Sequence, residues 1–335
     1  MADDDALIGD DEPDAAAAAT AVTTAVANPR TVLDADARAA LTALLGDAVR
    51  FDEPMRRHTT ARIGGPADAL AAPRSTDAVA ALLAWCRDRG VPVTVVGGGS
   101  NLLVRDAGIR GVVLATGGLR GLALTSPTTI LVEAGVPTSK LLKLALAHDL
   151  GGLEFLGGVP GSVGGGLIMN AGTYLGEFTS VVTWVDSVRL ADGAPVRRDH
   201  AACGFRYRGS DLPADELVVR AQVTLPPRPR AEADAAIKDL RARRHAREPK
   251  KVASNGSTFK NPPGEFAGRL IESAGCKGWQ VGDAVCSPVH ANWLVSSGRA
   301  TCADMLALIE RVRDRVREVH GVTLELEVKI LGEVA

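Results

Sequence analysis

The sequence predicts a mixed α+β fold that is divided into two or three domains. Its 335 residues are more than one hydrophobic core usually holds. Helical and strand-like patterns alternate from residue 31 onward, with no internal repeat. The stretch PPRPR at 226–230 separates a β-rich segment from a charged helical one. Such an abrupt change of composition at a proline-rich stretch indicates a domain boundary.

The first 30 residues differ from the rest in composition. Residues 1–28 carry seven acidic side chains and no Lys or Arg, and they include an alanine-rich segment without an amphipathic face. This composition buries too little apolar surface to offset the entropy of ordering, so we predict a disordered tail over 1–30. The remaining chain has 38 basic and 33 acidic residues. That excess is too small to predict a surface for nucleic acid.

Cysteine usage and hydropathy limit the possible environment. The five cysteines are odd in number and form no C-x-x-C pair, which argues against a disulfide framework and against a zinc or other metal site. The sequence contains no apolar run of about 18 residues and no signal-peptide pattern, so neither a membrane span nor secretion is expected. We therefore predict a cytoplasmic protein. The sequence does not define an oligomeric state, and a monomer is favoured.

The amino-terminal half shows a β-α-β rhythm. Apolar residues recur at helical spacing in residues 31–45, and Ser75 caps a second amphipathic helix that ends before Gly90. A strand follows at 91–96, and its end carries a glycine run, where α/β proteins place ligands. The further elements predicted up to the hinge are strands at 111–115 and 130–133, a helix at 138–148, and strands at 181–190 and 217–225.

The segment after the hinge begins with a basic helical stretch. Residues 228–251 contain nine basic and four acidic side chains. The stretch is either a solvated helix face or a mouth that attracts an anionic substrate. The remaining predicted elements are a helix at 265–274, a strand at 291–296, a helix at 302–320 and a final strand at 323–331.

Two glycine runs are the strongest local signals for a ligand. Residues 157–172 read GGVPGSVGGGLIMNAG, and residues 95–104 read VVGGGSNLLV. Each run alone is either a tight turn or a backbone cradle for phosphate. Together, about 60 residues apart, they favour a dinucleotide site. A Rossmann NAD site is disfavoured, because GGGSN lacks the G-x-G-x-x-G spacing and the following LLV does not resemble a helix start.

Seven motifs follow one another in the order of a known family. They are TTARIGGPAD (59–68), VVGGGSNLLVRDAGIRGVVL (95–114), LEFLGGVPGSVGGGLIMNAGTYLGE (153–177), FRYRGSDL (205–212), NGSTFKNP (255–262), AGRLIESAGCKGWQVGDA (267–284) and LELEVKILGE (324–333). In these motifs the chain resembles the UDP-N-acetylenolpyruvoylglucosamine reductases, flavoenzymes of peptidoglycan precursor synthesis. The short segment between Arg208 and Pro226 resembles the subgroup that lacks an extra tyrosine-bearing loop.

The resemblance implies a particular α+β architecture. It consists of two FAD-binding subdomains of the type found in vanillyl-alcohol-oxidase (PCMH-type) flavoproteins, and of a C-terminal α+β substrate-binding domain. We assign residues 31–96 to the first subdomain, to which a strand in 322–335 returns. Residues 97–226 form the second subdomain, and residues 227–321 form the substrate-binding domain.

The resemblance also implies a bound FAD. Its pyrophosphate needs clustered backbone donors, and its ring system needs a flat wall. The loop 97–101 has no histidine that could tether flavin, so we predict non-covalent FAD; His58 is expected to be a surface or interdomain residue. The expected FAD contacts are Arg62, Ile63, Gly64, Gly97, Gly98, Gly99, Ser100, Asn101, Leu102, Gly157, Pro160, Gly161, Ser162, Gly164, Asn170, Ala171 and Gly172.

The implied reaction passes electrons from NADPH through FAD to the enolpyruvyl ether of UDP-N-acetylglucosamine enolpyruvate. An enolate-like species must then be stabilised and protonated. By motif, Arg208 supplies the fixed cation and Ser257 the proton, and Glu327 occupies the position of the catalytic glutamate. Spacing alone does not separate Glu327 from Glu325, since both lie on one strand face; the family position selects Glu327.

The expected substrate contacts are Tyr207, Lys260 and Asn261. The residues that bind the diphosphate are left open, with Arg244, Arg247, Lys250 and Lys251 as candidates. Two other functions remain alternatives: a non-catalytic flavin-binding regulator, and an oxidase that passes electrons to oxygen. The presence of all three catalytic residue types argues against the regulator.

Overall fold

The computed structural model describes residues 33–334, and the tail predicted at 1–30 lies outside the described residues. Helices and strands alternate along the chain and form three regions, each built around its own sheet. The predicted α+β class is therefore confirmed. None of the helices in residues 33–334 is long and apolar enough to cross a membrane.

The first region has a four-stranded sheet. It contains β1 (Val49–Pro54), β2 (Pro66–Ala71), β3 (Val93–Val96) and β5 (Ile109–Ala115), in the order β1-β2-β5-β3. β1 runs antiparallel to β2, whereas β2 and β3 both run parallel to β5. The boundary predicted between residues 96 and 97 is wrong, because hydrogen bonds hold β5 between β2 and β3. The first region extends at least to residue 115.

Two helices cover this sheet. Helix α1 (Ala35–Leu45) begins after Asp34, and α2 (Thr76–Asp88) begins after Ser75; both capping side chains accept a backbone N–H. Their buried leucines pack with β2, β3 and β5 in one core. The helices predicted at 31–45 and 75–89 are thus confirmed, with slightly shorter bounds.

The end of the chain comes back to the first region. Strand β4 (Leu102–Val104) pairs in parallel with β17 (Lys329–Leu331). Leu331 packs against a cluster that includes Val104 and Val113. The strand predicted at 323–331 is observed only at Lys329–Leu331. Before residue 329, the strand pairing of this segment is limited to an isolated bridge between Leu326 and Phe259.

The second region is an antiparallel sheet with helices on one face. Its core contains Phe155, Phe178 and apolar residues of the helices α3 (Thr138–Ala147) and α4 (Val163–Ile168). A small hairpin, β8 (Gly172–Thr173) and β9 (Gly176–Glu177), lies beside it. The strands, in the spatial order β11-β10-β12-β7-β6, are β6 (Leu122–Ser126), β7 (Thr129–Glu133), β10 (Val182–Arg189), β11 (Pro195–Asp199) and β12 (Glu216–Thr224).

The third region is a smaller antiparallel sheet covered by two helices. The long helix α7 (Cys302–His320) begins with a capping box formed by Thr301 and Asp304. The core of the third region also contains Ile63 and Leu103, so this core is continuous with the first region. The other elements are β13 (Ala253–Ser257), α6 (Ala267–Ser273), β14 (Gln280–Val281), β15 (Ala284–Cys286) and β16 (Trp293–Ser296), with the sheet order β13-β16-β15-β14.

Helix α5 (Arg230–Arg247) connects the second region to the third. Its side chain Ile237 packs in the core of the second region. Arg228, in the hinge before it, pairs with the buried Glu154 at 3.0 Å. The predicted start of the substrate-binding domain at residue 227 is therefore too early, because it separates α5 from the core on which the helix packs.

Candidate active site

The two glycine runs lie against each other. A Cβ at Gly98 would be 2.8 Å from the Cα of Gly161, a distance that real Cβ atoms do not show. The Gly98 N–H donates to the Ser162 hydroxyl at 3.2 Å, and the Ser100 hydroxyl donates to the Pro160 carbonyl at 3.3 Å. The structure thus brings together the two glycine runs that we predict to form one dinucleotide site.

Several of these glycines are required by contacts within the protein. A Cβ at Gly99, whose φ is +68°, would be 1.8 Å from the His58 carbonyl oxygen. Cβ atoms at Gly157 and Gly164 would each be 2.8 Å from a side-chain carbon, of Ile237 and Ala134 respectively. Packing alone explains glycine at these positions, and their contact with FAD stays a prediction.

Free backbone N–H groups in the two glycine runs show which run fits the diphosphate of FAD. The consecutive N–H groups of Gly99, Ser100 and Asn101 donate to no acceptor within residues 33–334. The N–H groups of Val163 and Gly164, which begin α4, donate instead to carbonyl oxygens that follow β7. Because a diphosphate needs clustered free N–H groups, the first run fits it better than the start of α4 does.

The turn at residues 62–64 lies next to the first glycine run, since Thr60 N–H donates to the Gly99 carbonyl at 3.2 Å. Arg62 is exposed with φ +56°, whereas the Ile63 side chain is buried in the core of the third region. A Cβ at Gly64 would be 2.9 Å from the Val104 Cβ. The turn therefore connects the first and third regions beside the candidate FAD site.

The backbone of His58 lies beside Gly99 of the first glycine run, but the His58 side chain contacts Glu53. Its Nε2 is 2.9 Å from Oε1 of Glu53, and the imidazole is 28% exposed. The pair lies within the first region.

Arg208 and Glu327 form the centre of the candidate active site. Nε of Arg208 is 3.3 Å from Oε1 of Glu327, and Nη2 donates to the Gly172 carbonyl at 3.3 Å. Nη1 is buried, makes no hydrogen bond and lies 3.8 Å from Oε1 of Glu177. The backbone of Arg208 has φ +52°, a conformation that costs free energy and occurs preferentially at functional sites. Nη1 therefore has its hydrogen-bond donors free for a carboxylate ligand.

The segment that carries Ser257 is tied to Glu327 through the backbone. The Glu327 N–H donates to the Thr258 carbonyl at 2.9 Å, and the Asn101 side chain donates to the Glu327 carbonyl at 2.9 Å. Ser257 is half-buried at the end of β13, just after Gly256 with φ +79°. The three predicted catalytic residues and the first glycine run therefore share one neighbourhood.

Burial distinguishes Glu327 from Glu325. The Glu325 side chain is 71% exposed and pairs with Lys260 at 3.3 Å, whereas the Glu327 side chain is 18% exposed. Burial raises the pKa of Glu327, and the cations of Arg208 and Lys260 oppose this shift only in part. The carboxyl therefore holds its proton to a higher pH than an ordinary glutamate. It is a second candidate proton donor besides Ser257.

Lys329 is a cation that the sequence analysis did not select. Burial lowers its pKa, and the nearby charges of Lys260 and Arg206 lower it further. Its place two residues after Glu327 on the returning strand is the only signal that could have identified it.

The predicted substrate residues differ in availability. Tyr207 is 47% exposed, and its ring centre is 5.0 Å from Cζ of Arg208. Lys260 is held by Glu325 near Glu327. The Asn261 side chain, in contrast, accepts the Ala267 N–H at 3.0 Å where α6 begins. Asn261 thus has a structural role, and its contact with substrate stays a prediction.

The remaining predicted FAD residues, Asn170, Ala171 and Leu102, make hydrogen bonds within the protein. Asn170 is 1% exposed; its amide donates to Glu177 at 2.7 Å and its carbonyl oxygen accepts the Thr179 N–H at 2.9 Å. Ala171 bonds through its backbone to Gly166 and Phe178, and Leu102 accepts from Asn255. Asn170 therefore orients Glu177, which faces Arg208.

A cleft of about 580 Å³ lies between α3 and α5 and includes Trp293 of the third region in its lining. Apolar residues of α3 and residues 157–160 form one wall; Arg241, Arg244 and Trp293 line the other. Trp293 pairs with Ser257 in the sheet, so their side chains share one face. The cleft therefore extends from the basic helix to the strand partner of Ser257, and neither Ser257 nor Arg208 nor Glu327 is among its lining residues.

Part of the basic stretch lines a cavity, and its two alternative roles, a solvated face and a mouth for an anionic substrate, both stay predictions. Arg244 lines the cleft and pairs with Glu248 at 2.9 Å; Lys250 lines an adjoining cavity of about 310 Å³. Arg247 and Lys251 line neither cavity. The sequence analysis missed Arg241 and Trp293. A tryptophan directly opposite the predicted serine becomes visible only in the strand register.

Two family models match the chain. A model described as "FAD binding domain" matches residues 67–198, which confirms the predicted FAD-binding part. A model described as "UDP-N-acetylenolpyruvoylglucosamine reductase, C-terminal domain" matches residues 248–331, which include Ser257 and Glu327.

Individual proteins match over most of the chain. The UDP-N-acetylenolpyruvoylglucosamine reductase of Anaeromyxobacter dehalogenans (strain 2CP-C) is 48% identical over 282 residues, 84% of this chain and 85% of the relative. The enzyme of the same name from Rubrobacter xylanophilus is 45% identical over 289 residues, 85% of this chain and 96% of the relative. A crystal structure of the Thermus caldophilus reductase is 35% identical, with a TM-score of 0.73, and covers 85% of this chain and 98% of its own.

Proposed function

Because the chain belongs to the UDP-N-acetylenolpyruvoylglucosamine reductase family of FAD-dependent oxidoreductases of peptidoglycan precursor synthesis, we propose that it reduces UDP-N-acetylglucosamine enolpyruvate to UDP-N-acetylmuramate. The hydride comes from NADPH, and the two substrates react in turn by a ping-pong mechanism. When bound, FAD would supply the hydride-transfer chemistry between NADPH and the enolpyruvyl double bond. The observation that carries the proposal is the buried Nη1 of Arg208, which makes no hydrogen bond, in a guanidinium held beside Glu327.

Arg208 binds the enolpyruvyl carboxylate and stabilises the negative charge that develops on it. Its guanidinium is fixed through Nε by Glu327 and through Nη2 by the Gly172 carbonyl. Nη1 lies 3.8 Å from Glu177 without a hydrogen bond, and it donates to the substrate. An arginine stays charged at every relevant pH. In a pocket that excludes water, a fixed cation stabilises developing charge far more than it would in solution. Tyr207 and Lys260 border this pocket and contact the same part of the substrate.

Ser257 donates the proton that completes the reduction. A serine hydroxyl is a weak acid, so it needs a polarising neighbour; Lys260 or water takes this part. Glu327 stands beside the same segment with a raised pKa, and it is the donor if Ser257 is not.

The first glycine run holds the FAD diphosphate, and the cleft holds the diphosphate of the substrate. Gly99, Ser100 and Asn101 supply the backbone N–H groups for the first. Arg241 and Arg244 supply cations for the second, from a cleft that leads to the strand opposite Ser257. Guanidinium groups suit this task because they bind phosphate oxygens in bidentate fashion.

A cytoplasmic location and a monomeric state complete the proposal. The location is supported by the five cysteines, all of which are buried free thiols and suit a reducing compartment.

Anaerobic stopped-flow absorbance of the flavin tests the reaction. NADPH should bleach the oxidised flavin, and the enolpyruvyl sugar nucleotide should then restore its colour without oxygen. An oxidase would regain colour only when oxygen is admitted, and a regulator would not bleach and recover at all. Either of these results would overturn the proposal.

Two substitutions test the residue roles. Ser257→Ala should keep bleaching near the normal rate and slow recolouring by ~10²–10⁴-fold, the usual contribution of a positioned acid. Ser257→Cys should restore part of that rate. Arg208→Lys should also slow recolouring, since it keeps the charge but loses the guanidinium geometry.

The control is Ser297→Ala, which removes a hydroxyl that bonds only to the Asp283 carbonyl beyond the far end of β16. This variant should leave both half-reactions unchanged. If Ser257→Ala slowed both half-reactions equally, or slowed neither, Glu327→Gln would be the next variant to test and the serine would lose its role.

A further inference from the structure

We propose that Asn292 is a positioning residue for the proton-delivering step: it fixes the segment after Ser257 at its place beside Glu327. This inference rests on the proposed function, since it assumes that Ser257 delivers a proton. Asn292 itself lies behind the segment and contacts no reacting group.

Asn292 holds this segment by three hydrogen bonds. Its side-chain oxygen accepts the Phe259 N–H at 2.9 Å, and its amide donates to the Phe259 carbonyl at 2.8 Å. Its own carbonyl accepts the Thr258 N–H at 2.8 Å. With only 3% of the residue exposed, water cannot replace these bonds. The two residues directly after Ser257 are therefore bound on one edge by Asn292.

The opposite edge of the same segment holds Glu327. The Thr258 carbonyl accepts the Glu327 N–H at 2.9 Å, and Phe259 forms a bridge with Leu326. The segment is thus a narrow strip between Asn292 and the returning chain. Any shift of the strip changes the position of Ser257 relative to Glu327 and Arg208.

The side chain is needed because the sheet alone does not fix this register. The pairing of β13 with β16 is irregular between Ser254 and Ser257, where Gly256 has φ +79°. β13 ends at Ser257, and β16 begins at Trp293, directly after Asn292. The asparagine amide therefore continues the hydrogen bonding past the end of the ladder.

An amide is the side-chain group that suits this place. It presents one acceptor and donors together, so it matches a peptide N–H and carbonyl of one residue at the same time. A carboxylate accepts but cannot donate, and would face the Phe259 carbonyl with a second acceptor. Asn292→Asp is consequently a small change in shape with a large change in this contact.

The test compares the two half-reactions in the FAD-loaded full chain. In Asn292→Asp and Asn292→Ala, bleaching by NADPH should stay within about twofold, while recolouring should slow by about tenfold to 10²-fold, as for a misplaced catalytic group. Leu294→Ala is the control, because it opens a cavity in the same core and leaves the Asn292 bonds intact. It should not separate the two half-reactions.

A double-mutant cycle with Ser257→Ala completes the test. If Asn292 acts through Ser257, its substitution should slow recolouring little further once the hydroxyl is gone. Additive losses, or equal slowing of both half-reactions, would overturn the inference while leaving the function intact. Failure of the unmodified enzyme to recolour would overturn the proposed function and this inference with it. Normal recolouring by Ser257→Ala would overturn the role of the serine and this inference, and would leave the reductase function intact.

Discussion

Replacing Gly98 by alanine should force the two glycine runs apart. A Cβ there would lie 2.8 Å from Cα of Gly161, 2.9 Å from N of Ser162 and 3.0 Å from the carbonyl carbon of Gly161. Carbon atoms in contact normally lie ~3.5–4.0 Å apart, so the backbone must move by about 0.7 Å or more. All three obstacles are backbone atoms, and no side-chain rotation relieves them.

The expected loss of stability is about 2 kcal/mol, within the usual range for overpacking. Because the displaced loop carries the free N–H groups at residues 99–101, most of the bound FAD should be lost as well. Urea unfolding measures the first effect, and the ratio of flavin to protein absorbance in the purified enzyme measures the second.

Gly117→Ala is the matched control, because a Cβ at Gly117 meets no atom within 4 Å. Its stability should stay within about 0.5 kcal/mol of the unmodified protein, and its FAD content should not change. Equal behaviour of the two variants would refute the close packing of the two runs and the reasoning built on it.

Three further predictions follow from other contacts. Glu216→Gln removes a buried carboxylate that the half-buried Arg198 contacts at 2.8 Å, and breaking such a pair should lower stability by about 3 kcal/mol near pH 7. Arg198 lowers the pKa of Glu216. The stability that this carboxylate contributes is therefore present above its unfolded-state pKa and is lost as the pH falls through its folded-state pKa. The difference in urea unfolding between the variant and the unmodified protein should shrink toward acid pH, and a constant difference would contradict this. Heat or acid should release intact FAD into the supernatant, because residues 97–101 offer no tethering histidine, whereas flavin that stays attached to denatured protein would contradict non-covalent binding. Deleting residues 1–29 should leave flavin content and turnover within about twofold, since their composition predicts no packed core; a larger loss of either would show that the tail contributes to the enzyme.

Local patterns were sufficient for elements whose signals lie within their own sequence. Helix α7 was predicted at its observed bounds, because apolar spacing and the Thr301 cap are both local. Strands β1 and β11 were not predicted. Both carry charged residues, and their regular alternation of burial depends on which neighbours cover them. The boundary at residue 96 failed for a related reason, since β5 joins the first sheet through non-local pairing.

Only part of the candidate active site could be predicted, because some of its contacts join segments that are far apart in the chain. Motifs selected Arg208, Ser257 and Glu327, and the structure brings them close together, but their roles stay predictions. The sequence could not show that Gly157 makes room for Ile237 or that Asn170 orients Glu177. These contacts join segments far apart in the chain, and no local pattern records them.

The pairing of β17 with β4 determines when the enzyme becomes complete during synthesis. Asn101 bonds to the carbonyl of Glu327, 226 residues later in the chain. A ribosome must therefore translate the chain as far as residue 331 before the cofactor loop receives its partner strand. Until residue 327 is synthesised and leaves the exit tunnel, a nascent chain has the glycine runs and Arg208 but no Glu327. Premature termination after α7 would consequently yield a product without this carboxylate, however well its earlier regions fold.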